Sequence, residues 1–243
     1  MRVVAIVQAR MGSSRLPGKV LDDLAGMPVL AHVIERLRQA RELDEVVVAT
    51  PDTPADVPLH EFVQAMDTTL VVGDEADVLS RYVTAAELSA ADVVVRITSD
   101  CPVIDPNTVD AVVAAYRSRG VDYVSGGPSS GYPRGLDTEV FSVDALHRVD
   151  ALAAEGPERE HVTLRMYRDS EHFRFERCAP PAALHRPEYR LCVDEPDDIA
   201  LLRLLYQETG SPAPAIDVRD IVALLDARPD LVAINAHVEQ KTV

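Results

Sequence analysis

Five short runs rich in β-branched residues, at 3–8, 45–50, 69–72, 92–98 and 122–125, are separated by longer stretches with apolar residues three and four apart. Strands buried on both faces read as continuous apolar runs, and strand–helix alternation joins them in parallel. The pattern therefore predicts an α/β fold: a Rossmann-like, mostly parallel sheet with helices on both faces. The spacing predicts helices over 28–40, 54–66, 76–90 and 106–119. Pro28, Pro54 and Pro106 stand at expected first helical positions, the last behind Asp105 as N-cap.

The pattern loosens after residue 125. Residues 126–135 are rich in Gly, Pro and Ser, a turn signal. Beyond them a strand is expected at 137–141, helices at 142–154 and 157–167, strands at 173–177 and 189–193, and a helix at 196–208. A Ser-Pro-Ala-Pro break at 211–214 precedes a last amphipathic helix starting near Asp217. We read 1–243 as one domain. Residues 1–125 and 189–210 form its core, and 126–188 a small inserted α+β elaboration.

A hydrophobic fraction of 47% supports a packed core, and with only 5% aromatic residues and no Trp its interior must be aliphatic. The formal charge of −16 argues against a general nucleic-acid binder, which needs a basic face. Three cysteines without paired spacing argue for a reducing compartment and against structural zinc. No apolar stretch approaches membrane-spanning length and no signal-peptide pattern opens the chain, so a soluble cytoplasmic protein is expected.

Within this acidic chain, the segment from Gln8 to Lys19 holds Arg10, Arg15 and Lys19 and no acidic residue. A basic Gly/Ser loop directly after a buried strand is where an α/β protein holds phosphate. The cations other than Lys19 and Lys241 are all Arg, which marks position 19 as one that wants a compact ammonium. Ligands of open parallel sheets bind beyond the carboxyl ends of the strands. Two further segments fall at such ends: Ser99-Asp100-Cys101-Pro102 after 92–98, and Asp194-Glu195-Pro196 after 189–193. If those strands are parallel neighbours, Asp100 and Asp194 meet the cationic loop in one crevice. Amides at Gly12, Ser13 and Ser14 could then cradle a triphosphate, and the two aspartates could hold a divalent cation such as Mg2+. A Walker loop is excluded. Five residues, not four, separate Gly12 from Gly18, and Val20 stands where the metal-binding hydroxyl belongs.

The stretch Ile6-Val7-Gln8-Ala9-Arg10-Met11-Gly12-Ser13-Ser14-Arg15-Leu16-Pro17-Gly18-Lys19 resembles the signature loop of the sugar-acid cytidylyltransferases, the CMP-Kdo and CMP-sialic acid synthetases. It is most similar to the branch named after the spore-coat polysaccharide protein SpsF. The resemblance continues through 77–82, Arg96-Ile97-Thr98-Ser99-Asp100-Cys101-Pro102, 135–141, 160–163 and 193–198. It implies a nucleotidyltransferase sheet, transfer of CMP from CTP with Mg2+, release of pyrophosphate, and a homodimer. It implies loop roles for Arg10, Arg15 and Lys19, and metal roles for Asp100 and Asp194. The Kdo enzymes carry Gly-Asp-Glu-Pro where this chain has Ser99-Asp100-Cys101-Pro102, which leaves the acceptor open.

In the expected reaction an acceptor oxygen attacks the α-phosphorus of CTP in line, so catalysis rests on positioning and charge neutralisation. Gln8, Ala9, Gly12, Ser13, Ser14, Arg96 and Ser99 are expected around the nucleotide. Arg134, Asp137, Glu139, His161 and Arg165 are expected around the acceptor, a small acidic or sugar-like molecule, in a region that could also form a dimer contact. The same Arg and Glu residues would equally suit a structural ion-pair network. Two other functions stay open: a glycosyltransferase, disfavoured because Cys101-Pro102 replaces a tight Asp-x-Asp, and a non-catalytic nucleotide-binding protein.

Overall fold

In the computed structural model, residues 1–154 and 156–240 are described; Lys241 lies outside them. In chain order the elements are β1 (Val3–Gln8), β2 (Asp23–Leu24), β3 (Met27–Pro28), α1 (Val29–Leu37), β4 (Glu45–Pro51), α2 (Val57–Ala65), β5 (Thr69–Gly73), α3 (Val78–Leu88) and β6 (Val93–Thr98). Then come α4 (Pro106–Arg119), β7 (Tyr123–Gly126), β8 (Thr138–Ser142), α5 (Val143–Leu152), α6 (Pro157–Glu160), α7 (Leu164–Arg168), β9 (Phe175–Arg177), α8 (Pro196–Thr209), α9 (Val218–Ala227) and α10 (Pro229–Val232).

Seven strands form one sheet in the order β5-β4-β1-β6-β8-β7-β9. All run parallel except β8, which is antiparallel to both β6 and β7. The two-residue period of β1 separates the layers. Val3, Ala5 and Val7 face α1 and α4, meeting Leu30, Ile34 and Val112. Val4 and Ile6 face α3 and α5, meeting Leu79, Tyr82 and Leu146. A third cluster gathers α8, α9 and the 189–193 segment around Leu191, Val193, Leu202 and Ile221. Side-chain caps start the helices as the sequence suggests. Asp105 accepts from the Thr108 N–H at 2.9 Å, and Glu195 and Asp198 form a capping box on α8. Among the described residues no helix is long and apolar enough to cross a membrane.

Three expectations are corrected. Residues 189–193 do not form a strand of the sheet. The edge beside β6 is taken by the reversed strand β8, so the segment runs across the strand ends, joined by a lone bridge between Arg134 and Arg190. The helix expected over 157–167 breaks at 161–163. There the chain turns inward, fully burying Val162 and letting Thr163 donate to Glu139 Oε1 at 2.8 Å. Finally, Pro28 caps α1 rather than opening it, because 23–28 is a small hairpin turning on Ala25 and Gly26, both at positive φ.

Candidate active site

The loop after β1 is folded on itself before it meets any ligand. The Met11 carbonyl accepts from the Ser13 and Gly18 N–H groups at 2.9 and 3.0 Å, and the Met11 N–H is pinned by Asp56 Oδ1 at 2.7 Å. Gly18, at φ 75°, turns the chain so that Lys19 points beneath the loop. Lys19 is 8% exposed, and its ammonium donates to Asp100 Oδ2 and Asp194 Oδ1, each at 2.9 Å, and to the Val193 carbonyl at 2.5 Å. Burial works against this charge, but the two carboxylates outweigh it and raise the Lys19 pKa.

Asp194 arrives beside Asp100 by a route the sequence does not reveal. The Val193 N–H donates to the Asp100 carbonyl at 2.8 Å, which docks the 189–193 segment onto the end of β6. Three cations then share the Asp194 carboxylate: Lys19, Arg15 at 2.8 Å and Arg190 at 2.6 Å. Burial opposes its ionisation, yet the Lys19 charge, with Arg190 and Arg15, brings the pKa down to about 2. Arg190 is held in turn by the fully buried Asp198 at 2.9 Å. Asp198 also accepts from the Asp194 and Glu195 N–H groups, and Asn235 donates to both Asp198 and the Arg190 carbonyl. Gln240 accepts from Arg190 at 2.9 Å.

Two cavities open on either side of this cluster. One, of about 320 Å3, is lined by Gln8, Ala9, Arg10, Ser13, Ser14, Arg15, Lys19, Arg81, Ser99 and His161. The other, of about 510 Å3, runs along the same edge of β6, β8, β7 and β9 and is lined by Arg96, Ser125, Arg134, Asp137, Glu139, Tyr167 and Arg177. Thr98, Asp100, Asp194 and Gln240 line both, so the cavities meet at the two carboxylates. A strand-end crevice with a basic Gly/Ser loop on one side, and acids at its centre, suits a phosphate-bearing ligand facing a second substrate.

The family model described as cytidylyltransferase matches residues 4–213. This chain belongs to the cytidylyltransferase family. It is 32% identical over 233 residues to the spore coat polysaccharide biosynthesis protein SpsF of Bacillus subtilis, covering 94% of this chain and 95% of that one. It is 40% identical over 115 residues to the 3-deoxy-manno-octulosonate cytidylyltransferase of Anaeromyxobacter sp. strain K, covering 46% of each chain. Its structure superposes on that of a cytidylyltransferase from Leptospira borgpetersenii with a TM-score of 0.88 at 26% identity, covering 100% of this chain and 99% of that one.

In this cytidylyltransferase not every expected side chain lies where the sequence suggests. Arg96 lines the larger cavity, ion-paired to Glu139, while its Nε donates to Gln8 Oε1 of the smaller cavity at 3.2 Å. Glu139 is fully committed. Burial would raise its pKa, but Arg96, Tyr123 and Thr163 together hold it down. His161 lines the smaller cavity, not the larger, and burial lowers its pKa. Arg165 lines neither cavity. It pairs with Glu158 at 3.1 Å and Asp169 at 3.4 Å, because the break after α6 leaves α7 packed on its own neighbours. Arg159 is likewise bound to Asp77 and Asp150, so these two arginines form the ion-pair network that the sequence allowed. Gly12 shapes the loop without lining the cavity. Asp137 does line the larger cavity; burial raises its pKa, against the hydrogen bond from the Gly135 N–H and the nearby Arg134 charge. Sequence reasoning missed Arg177, Arg190, Asn235 and Gln240. Only Asp198 stood inside a motif that could have pointed to it.

Proposed function

We propose that this cytidylyltransferase moves CMP from CTP onto a hydroxyl of a small acceptor, with release of pyrophosphate. The observation that carries the reading is the meeting of two cavities at Asp100 and Asp194, with Lys19 between them. CTP occupies the smaller cavity, its phosphates against the Ser13–Ser14 turn and Arg10. The acceptor occupies the larger one. Its oxygen attacks the α-phosphorus across the shared residues, a P–O bond forms, and the bond to the pyrophosphate oxygen breaks. Lys19 and Arg15 stand where negative charge grows on the leaving group. Their position is fixed beforehand by Asp194, so little reorganisation is needed.

The donor set fits Mg2+. Asp100 and Asp194 are hard oxygen donors close enough to share one ammonium. No cluster of three or more His, Cys, Asp or Glu suited to a metal exists among the described residues. Two carboxylates completed by water and phosphate oxygens are what Mg2+ prefers. When bound, the ion would neutralise phosphate charge and acidify the attacking hydroxyl. Cytoplasmic location and a homodimer belong to the same reading; sedimentation of the purified chain tests the second.

The decisive experiment is pyrophosphate release from an NTP panel with Mg2+ and a range of hydroxylated acceptors. CTP is the expected donor. Asp100→Asn and Lys19→Ala should each slow release about 100-fold or more, the loss of roughly 3 kcal/mol expected when one charged group aimed at the transition state is removed. Circular dichroism should report an unchanged fold. Wild-type turnover by either variant refutes the assignment. Sugar transfer from a nucleotide sugar without pyrophosphate release would replace it with a glycosyltransferase.

A further inference from the structure

Arg190 is a buried charge that faces no substrate. Its side chain is 9% exposed and lines neither of the two cavities that meet at Asp100 and Asp194. Its guanidinium is nevertheless fully engaged. Nε and Nη2 lie side-on against Asp198 at 2.9 and 3.3 Å, Nη2 also donates to Asp194 Oδ2 at 2.6 Å, and Nη1 donates to Gln240 Oε1 at 2.9 Å. Asp198, which fixes it, is itself buried in the first turn of α8. Asp198 Oδ2 further accepts from the Asp194 N–H at 2.8 Å. Asn235 donates to Asp198 Oδ1 at 2.9 Å and to the Arg190 carbonyl at 3.0 Å. Asp198 therefore holds Asp194 twice, directly at its backbone and through Arg190 at its carboxylate. The two oxygens of that carboxylate are made unlike. Oδ2 is turned back to Arg190, with the Cys192 thiol 3.9 Å away. Oδ1 is turned to the site: the Lys19 ammonium bridges it to Asp100 Oδ2, 2.9 Å from each, and Arg15 reaches it at 2.8 Å. The last torsion of an aspartate is broad and two-fold, so a carboxylate without a fixed partner on one side exchanges its oxygens.

We infer that Arg190 is a positioning residue for nucleotidyl transfer: held by Asp198, Asn235 and Gln240, it fixes the Asp194 carboxylate so that Oδ1, not Oδ2, is presented beside Asp100 at the junction of the cavities. The role rests on the nucleotidyl-transfer reading and adds to it a residue that touches no substrate. Charge alone does not account for the arrangement. Lys19 and Arg15 already supply positive charge to Asp194, and apolar side chains can replace a buried ion cluster without loss of stability. What a planar guanidinium adds is a fixed direction toward two carboxylates at once. A lysine meets carboxylates as a point charge and cannot set that direction. Removing a partner that stands behind a metal-ligating side chain changes metal affinity or activity by about 10–100-fold.

The test compares Arg190→Lys with wild type, both as the full chain. Mn2+ serves as the metal probe, followed by electron paramagnetic resonance in the presence of a non-hydrolysable CTP analogue. The variant should bind Mn2+ about 10–100-fold more weakly. With the best acceptor of the panel above, its kcat for pyrophosphate release from CTP should fall by about 10–100-fold as well. Its affinity for the analogue without metal, and its KM for CTP at saturating Mg2+, should stay within about twofold, because Arg190 lines neither cavity. The urea midpoint should stay near that of wild type, since the charge is kept. Asn235→Ala, also outside both cavities, should act in the same direction by about threefold or more, and it tests the same linkage if Arg190→Lys fails to fold. Wild-type Mn2+ affinity and kcat in the folded variant overturn the inference. So does a raised KM at unchanged kcat, which would make Arg190 a binding group, and so does a kcat that falls only as far as the folded fraction falls. In each of these cases the nucleotidyl-transfer reading stands. Absence of pyrophosphate release from CTP by the wild-type protein overturns both.

Discussion

Replacing Asp194 with Asn tests whether the acid at the centre of the site is a stabilising element as well as a chemical one. Its carboxylate is shared by Lys19, Arg15 and Arg190, and only 12% of the side chain is exposed, so solvent screens these contacts weakly. The fall from 3.8 to about 2 in its pKa is a preference of the folded state for the ionised form. At about 1.4 kcal/mol per unit it is worth roughly 2 kcal/mol of stability. The folded pKa is the lower one, so the contribution is complete above 3.8 and disappears as pH falls toward 2. Asp194→Asn should therefore lose about 2 kcal/mol at neutral pH, more if the three cations then repel one another. With an m-value of about 2–3 kcal/mol/M, the urea midpoint should drop by about 1 M. The gap between wild type and variant should narrow steadily in titrations carried below pH 4. Equal midpoints at neutral pH, or a gap that persists unchanged into acid, would refute the ion-cluster argument.

Glu139→Gln should cost about 3–5 kcal/mol, because it leaves the Arg96 guanidinium without its counter-charge; pairing it with Arg96→Met should recover most of the loss in urea unfolding. Gly135→Ala should destabilise by about 2 kcal/mol or more and detach the 189–192 segment, since its φ is +100° and a Cβ would lie 2.6 Å from the Leu191 carbonyl carbon; an unchanged thermal midpoint would contradict this. Asp137→Asn should raise the thermal midpoint near pH 7, where the unfolded chain ionises this carboxyl and the fold disfavours its charge, and match wild type below about pH 3, where the acid is protonated in both folded and unfolded chains.

The half of the fold built from local signals was legible in the sequence. β1, β4, β5 and β6 announce themselves as apolar runs, and α4 by Asp105 and Pro106. The loop cations were legible for the same reason: Arg10, Arg15 and Lys19 are close in sequence and conspicuous against an acidic background. What failed depended on pairings between distant segments. Nothing in residues 138–142 says that this strand runs backwards beside β6, and its presence there is why 189–193 crosses the strand ends instead. Arg96 lines the larger cavity because the β6–β8 register sets it opposite Glu139, and His161 lines the smaller one where the chain turns inward and Thr163 reaches Glu139; neither the register nor the turn is written in the local sequence. Arg165 looked like a binding residue because its partners, Glu158 and Asp169, are ordinary helix-surface acids until α6 and α7 separate. Asn235 and Gln240 carry no signature at all; only the fold brings them to Arg190.

The two cavities have four residues in common, Thr98, Asp100, Asp194 and Gln240, and outside the shared segments around 96–101 and 192–194 they draw their walls from separate stretches of chain. This division lets the two halves of the molecule diversify independently. On the proposed reading, redrawing 125–137 and 175–177 would change the walls of the acceptor cavity and leave the loop assigned to the donor untouched. The narrow common border, by contrast, has little freedom to drift. Gln240 is its most vulnerable member, because it comes from a stretch remote in sequence from the other three and lines both compartments, so losing its side chain would open the two together.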